Sequence, residues 1–345
     1  MRYPSEGLLF RSFLYDLKSI LPLEVALTFG IIIFALSWLW PRRVISLPGA
    51  GLRRTVLIWS GTVGALLVVA AATLGSLINV LVYDSSGFDG WWRRPLPLVV
   101  VVVVVAIAGV LLRHVPRPRP GEQAIMPQRS WRTFTPQVVL RCVSIGSAVL
   151  TVTVVWHIMI AVSASRGGPF FGEVPEYSIL PIYMRFNENF GYVAGAGWPN
   201  HLATLLLLVL AVVVFVMVLR TDANRPSFAD TSLSTVKAPR EATARVLSWL
   251  LLAGILTTLG AVWMHVGSAG TSLVGLDERW VSETVSYPRL FVDGNYSAIA
   301  EPMNLIGYAL QGLGVALGLR IATDTVRAAF LPRRAASQGS LGAVR

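Results

Sequence analysis

The 345 residues include one cysteine, Cys142, two lysines, Lys18 and Lys237, and four histidines. A lone cysteine excludes an intramolecular disulfide framework, a CxxC redox pair and any cysteine-clustered zinc or iron–sulfur centre. Charged residues make up only 14% of the chain, too few to cover a water-soluble protein of this length. None of the apolar stretches contains a lysine, which removes a retinal Schiff base. The chain also lacks GxSxG, P-loop and HExxH patterns, so the hydrolases, nucleotidases and metalloproteases built on them lose support.

Apolar residues fill the space that charge leaves. Hydrophobic side chains are 54% of the sequence and mean hydropathy is +0.64, values typical of a chain solvated largely by lipid. A helix needs about 20 residues to cross roughly 30 Å of hydrocarbon. Stretches of that kind occur near residues 20–40, 55–82, 95–112, 138–163, 201–219, 246–268 and 302–319. The third contains the run Val99 to Val105; β-branched residues that suit a strand in water form helix in lipid, where backbone groups must be satisfied within the segment. The fold class expected is therefore an all-α integral membrane protein of about seven transmembrane helices.

The charges set the orientation. If the first connection is cytoplasmic, the inside segments hold 20 of the 29 basic residues and the outside segments 13 of the 18 acids. The positive-inside rule then predicts an N-terminus outside and a C-terminus in the cytoplasm, in a plasma membrane. The preference for arginine over lysine suggests a GC-rich, bacterial genome. A net charge of +11 does not indicate nucleic-acid binding, because the arginines are spread over four segments and form no single patch.

Three regions follow from this reading. Residues 1–19 form an outer interfacial amphipathic segment, with Leu9, Phe10, Phe13, Leu14 and Leu17 on one helical face. They carry charges of both signs and no cleavage site, so they do not read as a signal peptide. Residues 20–320 form the seven-helix domain, and 321–345 a basic cytoplasmic tail. Arg113 to Pro136 and Thr221 to Arg240 read as cytoplasmic linkers without periodicity. The two outside loops, 164–200 and 269–301, are rich in aromatics, and loops of that length and content are usually ordered, so they are expected to fold together as one cap.

The last four spans suggest a parallel hairpin repeat, spans four and five matching six and seven. Val155-Trp156-His157 resembles Val262-Trp263-Met264-His265, and Trp198-Pro199-Asn200-His201 lines up with Glu301-Pro302-Met303-Asn304. Some transporters place their sites at such repeat interfaces. Aromatic and proline residues also recur at membrane interfaces for reasons of their own.

The chemistry available is sparse. His157, His201 and His265 fall at the outer ends of spans four, five and six, and neutral imidazoles there could ligate a metal ion, with His157 and His265 also candidate haem ligands. The plainer alternative is that they bridge headgroup, water and backbone, as interfacial aromatics do. His157 lies roughly 9 Å below the end of its span, so it should point into the bundle and meet a partner. Trp198, Glu301, Asn304 and Gln311 are candidate residues of a binding surface. In span seven Gly307, Gln311, Gly314 and Gly318 share a face that suits close helix packing, either within the chain or against a membrane-protein partner or second copy. The favoured function is non-enzymatic: a small-solute or lipid transporter, or a complex subunit, binding through its outside loops. A haem or metal redox protein is the alternative.

The topology makes a direct prediction. After removal of Cys142, Phe170→Cys and Val285→Cys should react with an impermeant thiol reagent in intact cells and Asp230→Cys should not; reversed labelling overturns the arginine count.

Overall fold

The computed structural model describes residues 25–39, 45, 47–48, 51–81, 92–116, 130–162, 183–186, 189–192, 198–226, 233–271 and 297–330. The described residues are mostly helical. Helix α1 (Val25–Leu36) is followed by α2 (Leu52–Trp59), a π-helical segment (Ser60–Gly64) and α3 (Ala65–Leu81). Next come α4 (Leu96–Arg113), α5 (Gln137–Ile160), α6 (Trp198–Ala223), α7 (Leu233–Thr271) and α8 (Ser297–Phe330). Six helices are long and apolar enough to span a membrane, counting α2 to α3 as one, and Val25–Leu39 is a shorter apolar seventh. The protein is thus an all-α polytopic membrane protein, as its hydropathy predicts.

The helices overrun the apolar stretches. α7 begins at Leu233 and α8 ends at Phe330, 13 and 11 residues beyond the expected bounds of 246 and 319. Hydropathy registers where the chain leaves hydrocarbon, whereas a helix continues as long as its backbone bonds are satisfied. Much of the expected linker from Thr221 to Arg240 is therefore helix, and the first ten residues of the expected tail belong to α8. Between α5 and α6, β1 (Ala161–Val162), β2 (Tyr183–Phe186) and β3 (Asn189–Tyr192) make a small antiparallel sheet, with Met184 opposite Ala161 and Gly191. The amphipathic segment 1–19 and the packing of the two loops as a cap lie outside the described residues.

The centre of the bundle is the α7–α8 pair, which shares the most extensive helix contact in the molecule. Small residues recur every seven positions on both: Ala253, Gly260 and Gly267 on α7, and Ala300, Gly307 and Gly314 on α8. A Cβ added at Gly260 would lie 2.7 Å from Cα of Gln311, one at Gly267 2.5 Å from the Ala300 carbonyl oxygen, and one at Gly314 2.7 Å from the Thr257 nitrogen. The contacts descend α7 as they climb α8, so the pair is antiparallel, and a seven-residue repeat keeps such a seam facing its partner under a left-handed supercoil. The face of α8 that the sequence offers to another protein is thus filled from within, by α7 and, at Gly318, by Val69 of α3. α5 and α6, the hairpin expected to repeat this pair, share a far smaller contact.

The second organising feature lies at the arginine-rich end. The last carbonyls of an α-helix have no partner in their own helix, and arginines supply donors to four such ends. Arg320 donates to Ser37 O just past α1 at 3.2 Å, and Arg54 to Ala329 O of α8 at 2.9 Å. Arg225 donates to the carbonyls of Leu112, Arg113 and Val115 at the end of α4. Arg240 bonds Ala223 O of α6 at 3.0 Å and also Arg225 O. Arg53 makes a bidentate pair with buried Asp222 at 2.6 and 2.8 Å and reaches Thr243 Oγ1 of α7 at 3.0 Å. A cation at a helix C-terminus also meets the negative end of its dipole.

The seam is testable through one atom. Gly260→Ala should destabilise the protein by about 1–3 kcal/mol, because its Cβ would meet main chain. Gly146→Ala, whose Cβ would meet only a methyl group of Ile255 at 3.0 Å, should cost less. Equal thermal midpoints in detergent for both variants would contradict backbone contact at the seam.

Candidate histidine cluster

The end of the bundle opposite the arginine caps gathers three histidines from three helices. His157 sits in the last turn of α5, His201 in the first turn of α6 and His265 near the end of α7. His157 and His201 are both 0% exposed. Nδ1 of His157 and Nε2 of His201 share a hydrogen bond of 2.7 Å, with the rings edge to face at 4.9 Å. The His265 ring lies 6.4 Å from His157 and 6.1 Å from His201. His157 thus turns into the bundle and meets a partner there, as its depth requires.

A fourth member was invisible in the sequence. Arg94, in the turn before α4, donates from its guanidinium to Nδ1 of His265 at 3.0 Å. Because arginine only donates, that bond occupies the Nδ1 lone pair, so a neutral His265 carries its hydrogen on Nε2. No spacing rule ties residue 94 to residue 265; only the packing of α4 against α7 brings its turn here.

Imidazole bookkeeping leaves His201 incomplete. Whichever ring donates across the 2.7 Å bond, Nδ1 of His201 is either a donor without an acceptor or a lone pair without a donor, since it is buried and has no hydrogen-bond partner. An unmet polar group of this kind costs about 1–3 kcal/mol.

The cluster fits the expected cofactors unequally. A haem iron held on opposite faces by two imidazoles, each at about 2.0 Å, needs nitrogens ~4 Å apart. The candidate pair His157 and His265 has ring centres 6.4 Å apart with Arg94 on Nδ1 of His265, and His157 and His201, at 2.7 Å, are too close to form such a pair. A tetrahedral ion shared by two imidazoles needs them about 3.3 Å apart, a few tenths of an ångström beyond the observed separation. Arg94 engages His265, and among the described residues no three histidine, cysteine or acidic side chains stand in metal-holding geometry. The three-histidine metal set read from the sequence is gathered in one place but does not close on one point.

The other candidates fall elsewhere. Asn304 donates to Met264 O at 2.7 Å, tying α8 to α7 beside His265. Gln311, 2% exposed, donates to Ser76 Oγ of α3 at 3.3 Å while its Oε1 has no partner. Glu301 is exposed, and Trp198 begins α6 with its side chain outside the described set. Two tryptophans border the cluster: Trp156, with its ring 6.1 Å from that of His157, and Trp263, whose Nε1 donates to Thr153 Oγ1 at 3.0 Å.

Coupling within the pair is measurable. His157→Leu and His201→Leu should each destabilise by about 1–3 kcal/mol, since each strands the other ring, and the double variant should cost less than their sum by about 1 kcal/mol. Strictly additive unfolding energies in micelles would show that the rings do not depend on each other.

Comparison of the chain with protein-family models, with curated proteins and with solved structures gives no match.

Proposed function

We propose that this polytopic membrane protein belongs to the non-enzymatic small-solute transport class and that the histidine end, facing outward, holds its solute site. One observation carries the reading: the fully buried His157–His201 pair with His201 Nδ1 unmet. A structural role explains such a pair poorly, because apolar residues of similar volume would fill the same space without stranding a nitrogen. Polar groups kept at this depth in a bundle mark ligand or ion paths by default. The orientation rests on the arginine distribution.

The chemistry of the site favours a solute with acceptor oxygens. Imidazole N–H groups and the Arg94 guanidinium are donors, and a guanidinium offers paired N–H groups suited to carboxylate or phosphate. Arg94 also works against a cation. Cofactor binding is the second reading, favoured by the 2.7 Å nitrogen separation, which a modest opening converts into two ligands for a zinc ion.

Trp156 and Trp263 supply the readout. In separate titrations of purified protein with acetate, inorganic phosphate and zinc ions, tryptophan fluorescence should respond saturably to an oxyanion, with affinity falling at least about tenfold in His201→Ala. A saturable response to zinc alone, lost in the same variant, would replace the solute reading with the metal one. No response to any of the three, or one unchanged in His201→Ala, would refute both.

A further inference from the structure

At the arginine-rich end, far from the histidines, a groove of about 380 Å³ lies between α4 and α6, within the ~300–1,000 Å³ range of small-molecule sites. Its floor is the contact of Gly109 with Val218, where a Cβ on Gly109 would come within 2.5 Å of the valine side chain. Val110 and Met217 line its sides and are 53% and 54% exposed, so in a bilayer the groove opens to hydrocarbon. Its polar end is formed by Arg113, Asn224 and Arg225.

The charge at that end is positive. Asp222 also lines the groove, but both its carboxylate oxygens are bonded by Arg53 at 2.6 and 2.8 Å. The exposed carbonyls ending α4 would repel an anion, and Arg225 covers them through the carbonyls of Leu112, Arg113 and Val115. What remains facing the headgroup region is the exposed guanidinium of Arg113 and the exposed Asn224. An apolar slot open to lipid and closed by a cation matches a molecule with an acyl chain and an anionic head. Basic pockets between spans at this depth bind such headgroups.

We infer that the groove between α4 and α6 is a binding site for one anionic phospholipid, its acyl chain along Val110 and Met217 and its phosphate against Arg113. The site needs no contribution from the histidine cluster, which lies at the other end of the same helices.

The test uses the full chain in detergent, with lipid retention read by native mass spectrometry in mixed micelles of phosphatidylglycerol or phosphatidylcholine. The wild type should retain phosphatidylglycerol preferentially. Arg113→Gln should weaken that retention about fivefold and leave phosphatidylcholine unchanged. Val110→Trp, which fills the slot from its lipid-exposed side, should reduce retention while Arg113 is intact. Arg220→Gln removes another exposed charge, on α6 and outside the groove, and should retain lipid as the wild type does. Three results would each overturn the site: no preference between the lipids, an equal loss in Arg220→Gln, or displacement of the lipid by free glycerol phosphate at matching concentration.

Discussion

Everything in this bundle leans on the backbone contact between α7 and α8. In lipid, helices gain nothing from hiding apolar surface, because the tails are as apolar as leucine, so association depends on how closely backbones approach. Ala253, Gly260, Gly267, Ala300, Gly307 and Gly314 remove the side chains that would hold these two apart. The same device extends outward. Gly30 of α1 is packed against Val315, and Gly61 and Gly64 of the π-helical segment against Thr325 and Val104. α7 is the most enclosed of the spans, and it carries His265 and the Arg53 partner Thr243 at its two ends.

The two ends of the bundle solve the problem of unsatisfied polar groups differently. At one, arginines from other segments close the final carbonyls of α4, α6, α8 and the turn after α1, so arginines that carry the positive-inside expectation also finish the helices. Trp38 there meets both Arg320 and Arg327, each guanidinium carbon 4.5 Å from its ring centre, a contact that favours cations. At the other end, polar side chains pair chiefly with one another, and Nδ1 of His201 is among the buried atoms without a hydrogen bond.

The number of helices, their apolar cores and the inward turn of His157 could be read from the sequence, because hydropathy and depth depend only on composition and rise per residue. Helix ends could not. The stretches before 246 and after 319 read as polar, and it takes Arg53 and Arg54, from far along the chain, to make helix worthwhile there. The α8 half of the seam was visible in Gly307 and Gly314. Its α7 half, Ala253, Gly260 and Gly267, carried the same seven-residue spacing and is recognisable only once α8 is laid against it. Arg94 was illegible, since its partner is 171 residues away and neither residue's neighbours announce the other.

The position of the seam along the chain governs how the protein is made. A ribosome delivers α1 to α6 before α7 and α8 exist, yet α1 makes its main helix contact with α8, and α5 its main one with α7. α1 and α5 therefore lack their main helix partners until α7 and α8 are made, whereas α4 can pack on α3 and α6 before then. Much of the assembly is thus a late event, in which the helices from Leu233 onward bring α1 and α5 into the bundle. Translation that stops short of α8 would leave fully inserted spans with their glycine faces open to lipid, a form that membrane quality control can tell from the finished protein.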